Sequence, residues 1–86
     1  QGSWRVQSND ETGTGYSDIS ISTRERTGIV IEIKYANDGN LDGACAEALK
    51  QIEDRNYAES LRRGGMKKII KYGMAFYKKE CMVVKA

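Results

Sequence analysis

Apolar and polar residues alternate along three short runs of the chain, and a fourth run repeats them at a helical period. The strongest alternation is Gly28-Ile29-Val30-Ile31-Glu32-Ile33-Lys34-Tyr35. β-Branched residues dominate it and Gly28 punctuates its start, so it predicts a strand. Side chains alternate faces along a strand, which puts Ile29, Ile31, Ile33 and Tyr35 on one face and Val30, Glu32 and Lys34 on the other. Residues 16–23 alternate as well, with Ile19 and Ile21 opposed to Asp18, Ser20 and Ser22. Trp4-Arg5-Val6-Gln7 predicts a further short strand with Trp4 and Val6 facing one way. Residues 8–15 are polar, with Gly13 and Gly15 near their end, and predict a turn or short loop. Residues 24–27 suit a hairpin tip.

The register of that hairpin follows from the alternation. Residues directly opposite in an antiparallel pair share a face. Setting Ile19 against Ile31 and Ile21 against Ile29 sets Asp18 against Glu32. A slip of one position would mix polar and apolar residues on both faces. The consistent register therefore gathers Asp18, Glu32 and Lys34 on one side. Like charges directly opposite destabilise a plain sheet, and a cation between them would remove that cost.

After a polar loop over residues 36–40, the period becomes helical. Asn40 is a good N-cap and Asp42 falls early, where the helix dipole favours an anion. Leu41, Ala44, Cys45, Ala48, Leu49 and Ile52 form one stripe, with Glu47, Lys50 and Gln51 off its centre. Residues 54–63 continue as helix after a kink, carrying Tyr57, Ala58 and Leu61, and Gly64-Gly65 stops it. Residues 66–77 end in Tyr72-Gly73-Met74-Ala75-Phe76-Tyr77, apolar on both faces like a covered central strand. Strand, helix and strand make a right-handed βαβ unit. Lys78-Lys79 is a weak turn signal, because neither residue favours positive φ. Residues 81–84 form a last edge strand blunted by Lys79 and Lys85. The expected fold is α/β: a mixed five-stranded sheet with an antiparallel meander, a crossover helix, a parallel strand and an edge strand. Its helix can cover one face only.

Composition narrows the chemistry. With 86 residues, one small domain is expected over residues 4–86, and Gln1-Gly2-Ser3 is compatible with a vector remnant. A net charge of +2 excludes a strongly basic arm but not a local basic patch. Cys45 and Cys81 lie far apart and histidine is absent, which argues against a zinc site or a Cys-His nucleophile. Both cysteines sit in apolar patterns and read as small core residues of a protein in the reducing cytoplasm. No apolar run reaches membrane-spanning length and no signal peptide is visible. Two converging carboxylates beside a lysine suit a hard divalent cation such as Mg²⁺, which can polarise a phosphodiester and activate water. By spacing alone, a solvated strand face with ordinary cross-strand charges is the commoner explanation.

Gly15-Tyr16-Ser17-Asp18, followed by Gly28-Ile29-Val30-Ile31-Glu32-Ile33-Lys34, resembles the PD-(D/E)XK nuclease superfamily. Residues 44–57 (ACAEALKQIEDRNY) and Ile70-Lys71-Tyr72-Gly73-Met74-Ala75-Phe76 resemble one branch, the nuclease-like domain found after an AAA-ATPase-like domain in many bacterial proteins. The likeness spans residues 4–84. It implies a restriction-endonuclease-like core in which Asp18 and Glu32 are metal ligands and Lys34 is the catalytic lysine. It also implies Mg²⁺, with Mn²⁺ able to substitute. Glu11 is the nearest match to an additional acidic ligand, and Gln51 to an assisting helical glutamine; Tyr57 is assigned to packing. Ser17 stands where the motif has proline, and Tyr16 where this branch often has a basic residue. The superfamily core opens with a helix, for which the stretch before Trp4 is too short. Either the gene is truncated or a second copy covers the sheet, so a homodimer is expected.

Arg62, Arg63, Lys67, Lys68 and Lys71 cluster after the helix, and such residues contact phosphates without reading sequence. Two functions compete. One is a Mg²⁺-dependent phosphodiesterase acting on DNA, less favourably RNA, without sequence specificity. The other is a catalytically silent module for nucleic-acid binding or dimerisation.

Overall fold

The computed structural model describes residues 4–11 and 16–86, without the side chains of residues 9–11, 16 and 17. Five strands form one sheet in the order β1 (Arg5–Glu11), β2 (Tyr16–Ser22), β3 (Thr27–Tyr35), β4 (Lys68–Tyr77), β5 (Glu80–Lys85). β3 and β4 are parallel and every other neighbouring pair is antiparallel. The crossover between them carries α1 (Leu41–Asp54) and α2 (Tyr57–Arg63). This is an α/β architecture consistent with a restriction-endonuclease-like core.

The hairpin register is the one the alternation requires: Ile19 pairs with Ile31, Ile21 with Ile29 and Asp18 with Glu32. β1 runs further than its sequence indicates. Ser8 to Glu11 extend the ladder against β2 rather than turning away, Glu11 pairing with Tyr16. Strand propensity is weak here, but β2 offers a row of backbone groups, and pairing them outweighs it. Residues 12–15 of the expected loop lie outside the described residues.

Asn40 caps α1 as expected, its Oδ1 accepting from the Gly43 N–H at 3.0 Å. Ala44, Cys45, Ala48 and Ile52 are its buried stripe. The expected kink is a full break. Asn56 adopts a left-handed conformation, φ 56°, which a short polar side chain tolerates, and α2 starts on a new heading. Gly65, at φ 101°, ends the helical layer.

The two helices cover one face of the sheet, and small residues set how closely. A Cβ on Gly73 would lie 2.6 Å from the Cys45 carbonyl oxygen and 2.9 Å from Leu49 Cγ. Backbone cannot yield as a side-chain tip can. Gly73→Ala is therefore expected to destabilise the fold by about 1–3 kcal/mol in denaturant titration, as overpacked cores do.

Two expectations fail on the opposite face. β4 is not covered on both sides: Gly73 and Ala75 are buried under α1, whereas Phe76 is exposed. Cys81 is exposed rather than core. Alternation along the edge strand turns Met82 and Val84 toward the core cluster and Cys81 and Val83 away from it. Cys45 does lie in the core, its thiol donating to the Met82 carbonyl at 3.4 Å. Burial, then the Asp42 charge, raise that thiol above its ordinary value, so it stays protonated and unreactive. The Lys78-Lys79 turn forms even though Lys78 takes φ 53°. Val6, Tyr35, Phe76 and Val83 stand exposed on the uncovered face.

Candidate active site

Asp18 and Glu32 meet directly across the β2–β3 pair, on the face that the helices cover. Asp18 is 8% exposed and Glu32 is fully buried. Two carboxylates side by side in a low-dielectric layer repel each other strongly. Lys34 stands one pleat beyond Glu32, with Ala75 beside it on β4. Its ammonium pairs with Glu47 Oε1 of α1 at 2.9 Å. The three motif residues thus share one side of the sheet, with Lys34 reaching toward the helix.

Tyr57, expected to be packing alone, donates its hydroxyl to Asp18 Oδ2 at 2.7 Å. Burial, and after it this hydrogen bond, push the phenol well above its ordinary range. At neutral pH it is therefore a fixed donor. It orients one oxygen of Asp18. The Arg55 guanidinium in turn hydrogen-bonds Tyr57. With the Gln51 amide turned so that its oxygen faces Arg55, that oxygen accepts from Nε at 2.7 Å and Nη2 at 2.8 Å. Gln51, Arg55, Tyr57 and Asp18 form one connected row.

Sequence periodicity missed this row for a definite reason. Tyr57 lies off the α1 stripe, and only the left-handed turn at Asn56 brings it over the sheet. An asparagine between two helical runs was the available signal.

A cleft of about 370 Å³ opens beside Asp18, walled by Ser20, Val30, Tyr57, Ser60 and Leu61. The other expected residues lie apart. The Glu11 backbone ends β1 opposite Tyr16, and its side chain is outside the described residues. Arg62 and Arg63 close α2, and Lys67 and Lys68 lead into β4; all four are exposed. Lys68 pairs with Thr27 at the far end of β3, about 17 Å along the strand from Glu32 at the usual rise per residue. Lys71 makes an ion pair with Glu53.

The donor set fits a hard divalent cation. Mg²⁺ and Mn²⁺ accept one or two protein carboxylates and complete their shell with water and phosphate oxygens. Among the described residues no cluster of three or more His, Cys, Asp or Glu side chains converges, so two protein carboxylates would be the anchor. No described helix is long and apolar enough to cross a membrane.

A family model of the PD-(D/E)XK nuclease superfamily matches residues 1–86. No curated protein and no solved structure matches the chain.

Proposed function

The chain belongs to the PD-(D/E)XK nuclease superfamily, and on that footing we propose that it hydrolyses phosphodiester bonds of DNA, with RNA the second candidate, using Mg²⁺ or Mn²⁺ and no base-specific contacts. One observation carries the reading: Asp18 and Glu32 face each other across neighbouring strands, both buried. They are the residues that would hold the ion. Bound there, the metal supplies Lewis acidity toward a phosphate oxygen and lowers the pKa of an attacking water.

The chain's own groups do the rest. Tyr57 fixes the Asp18 carboxylate through its 2.7 Å hydrogen bond. Lys34 orients the water and stabilises charge growing on the phosphate, once its ammonium is shared between Glu47 and substrate. Gln51 assists at the helix, and Glu11 is the nearest acid for a third ligand. Arg62, Arg63, Lys67 and Lys68 guide the polyanion from further along β3. The free cysteines suit a cytoplasmic protein.

The test is digestion of plasmid, single-stranded DNA and RNA with Mn²⁺, beside Asp18→Asn. Cleavage by the parent chain that disappears in the variant supports the assignment. Equal cleavage by both overturns it.

The Lys34–Glu47 ion pair favours a second reading, a silent nuclease-fold module, because it neutralises the catalytic ammonium. Such a module would show no Mn²⁺ uptake dependent on Asp18 and Glu32. The uncovered apolar face, with Val6, Tyr35, Phe76 and Val83 exposed, supports a homodimer packed sheet to sheet. Light scattering at micromolar concentration should return twice the chain mass; a monomer rejects the dimer.

A further inference from the structure

We propose that the cleft beside Asp18 receives the base of the nucleotide at the cut, so that the substrate is a single-stranded or locally unpaired polynucleotide rather than an intact duplex. The proposal rests on the nuclease reading and names the form of nucleic acid that this site accepts. The floor of the cleft is one cross-strand row, in which Gln7 pairs with Ser20 and Ser20 with Val30. The next row on the same face holds Asp18 and Glu32, and Lys34 stands one pleat beyond. Cleft and ammonium thus flank the acid pair on opposite sides along the strands. The roof comes from α2, whose Tyr57, Ser60 and Leu61 share one helix face at i, i+3 and i+4. Sheet and helix enclose about 370 Å³, which is the scale of a small-molecule pocket and not of a groove for a double helix.

Charge decides which part of a nucleotide enters. Among the described residues that line the cleft, Asp18 alone is charged. A phosphate inside would meet that sheltered carboxylate with no cation lining the same cleft, and like charges repel strongly there. A base carries no charge. Val30 and Leu61 offer its faces apolar surface, and Gln7, Ser20 and Ser60 offer its edges hydrogen-bonding groups. Hydroxyls donate or accept as the partner requires, so the cleft holds a base without selecting one. With a base seated there, the adjoining phosphate falls toward the acid pair, and Lys34 lies beyond it. A base that is stacked and paired cannot reach such a pocket; the strand must be single, or the nucleotide must first leave the helix at a cost in unpairing.

The experiment is Mn²⁺-supported cleavage of one labelled DNA oligonucleotide, offered single-stranded and as a blunt duplex, with a further single-stranded set in which an abasic residue replaces each position in turn. The single strand should exceed the duplex in kcat/KM by about a hundredfold, the cost of unpairing a nucleotide. Cleavage should disappear at a bond beside each abasic residue and persist elsewhere. Ser20→Leu fills the cleft from its floor, and Ser60→Leu fills it from an exposed position of α2. Each should raise KM for the single strand about tenfold, the usual scale of a steric mismatch in a pocket. Both should keep the rise in melting temperature that Mn²⁺ produces, since the acid pair is untouched. A duplex cleaved as fast as the single strand overturns the proposal. So does a cleavage pattern indifferent to abasic residues, or a parent KM in both variants. If the parent chain cleaves none of these substrates, the nuclease reading fails and this proposal falls with it. If the parent cleaves both forms alike and Asp18→Asn cleaves neither, the nuclease reading stands and the proposal alone fails.

Discussion

Adding Mn²⁺ at about a hundred times its dissociation constant should raise the melting temperature by about 10–20 °C, and Glu32→Gln or Asp18→Asn should abolish that rise. A ligand that binds only the folded state stabilises it by about 2.7 kcal/mol at that excess. In a domain of this size each kcal/mol moves the midpoint by about 4–8 °C. The effect is specific to the folded chain because the ligands sit far apart in sequence and meet only through the β2–β3 register. Both substitutions keep the side-chain volume while removing the charge that a hard cation needs. Lys34→Ala should retain the rise, since its ammonium is no ligand. Differential scanning fluorimetry reads all four proteins. A parent chain indifferent to Mn²⁺, or a rise that persists in Glu32→Gln, would dismiss the metal site.

The second large effect concerns rate. Lys34→Ala should slow Mn²⁺-supported cleavage by about 10²–10³-fold, the usual cost of deleting one preorganised donor aimed at developing charge. Affinity for the oligonucleotide should change little. The ion pair with Glu47 gives this experiment a second arm. Glu47 is mostly exposed, whereas Lys34 is largely sheltered, so the carboxylate can be neutralised without opening the core. Glu47→Gln separates two roles for that carboxylate. If it steers the ammonium toward the acid pair, the variant slows. If it restrains the ammonium, the variant speeds up. Cleavage at the parent rate by Lys34→Ala would remove the lysine from the mechanism.

Much of this arrangement was legible in the sequence, because period and register are local properties. Ile19, Ile21, Ile29 and Ile31 admit one pairing that segregates apolar from polar residues, and that pairing carries Asp18 to Glu32 without further information. Asn40 and the Ala44–Cys45–Ala48–Ile52 stripe mark α1 just as directly. What escaped depends on neighbours supplied from elsewhere. β1 continues through polar residues because β2 offers it backbone partners. Cys81 looks apolar in sequence, yet its strand is an edge and its face is uncovered. Tyr57 reaches Asp18 through a single left-handed residue, which no periodicity encodes.

Gly73 sits beside Glu32 on β4 and beneath the Cys45 carbonyl of α1. Glu47, Gln51 and Arg55 all ride on that same rod of backbone. A methyl group introduced there would act as a shim under a lever, tilting three site residues together although it touches none of them. Variants at this position should thus lose folding strength and turnover in step, and selection for a sturdier domain would have to look elsewhere.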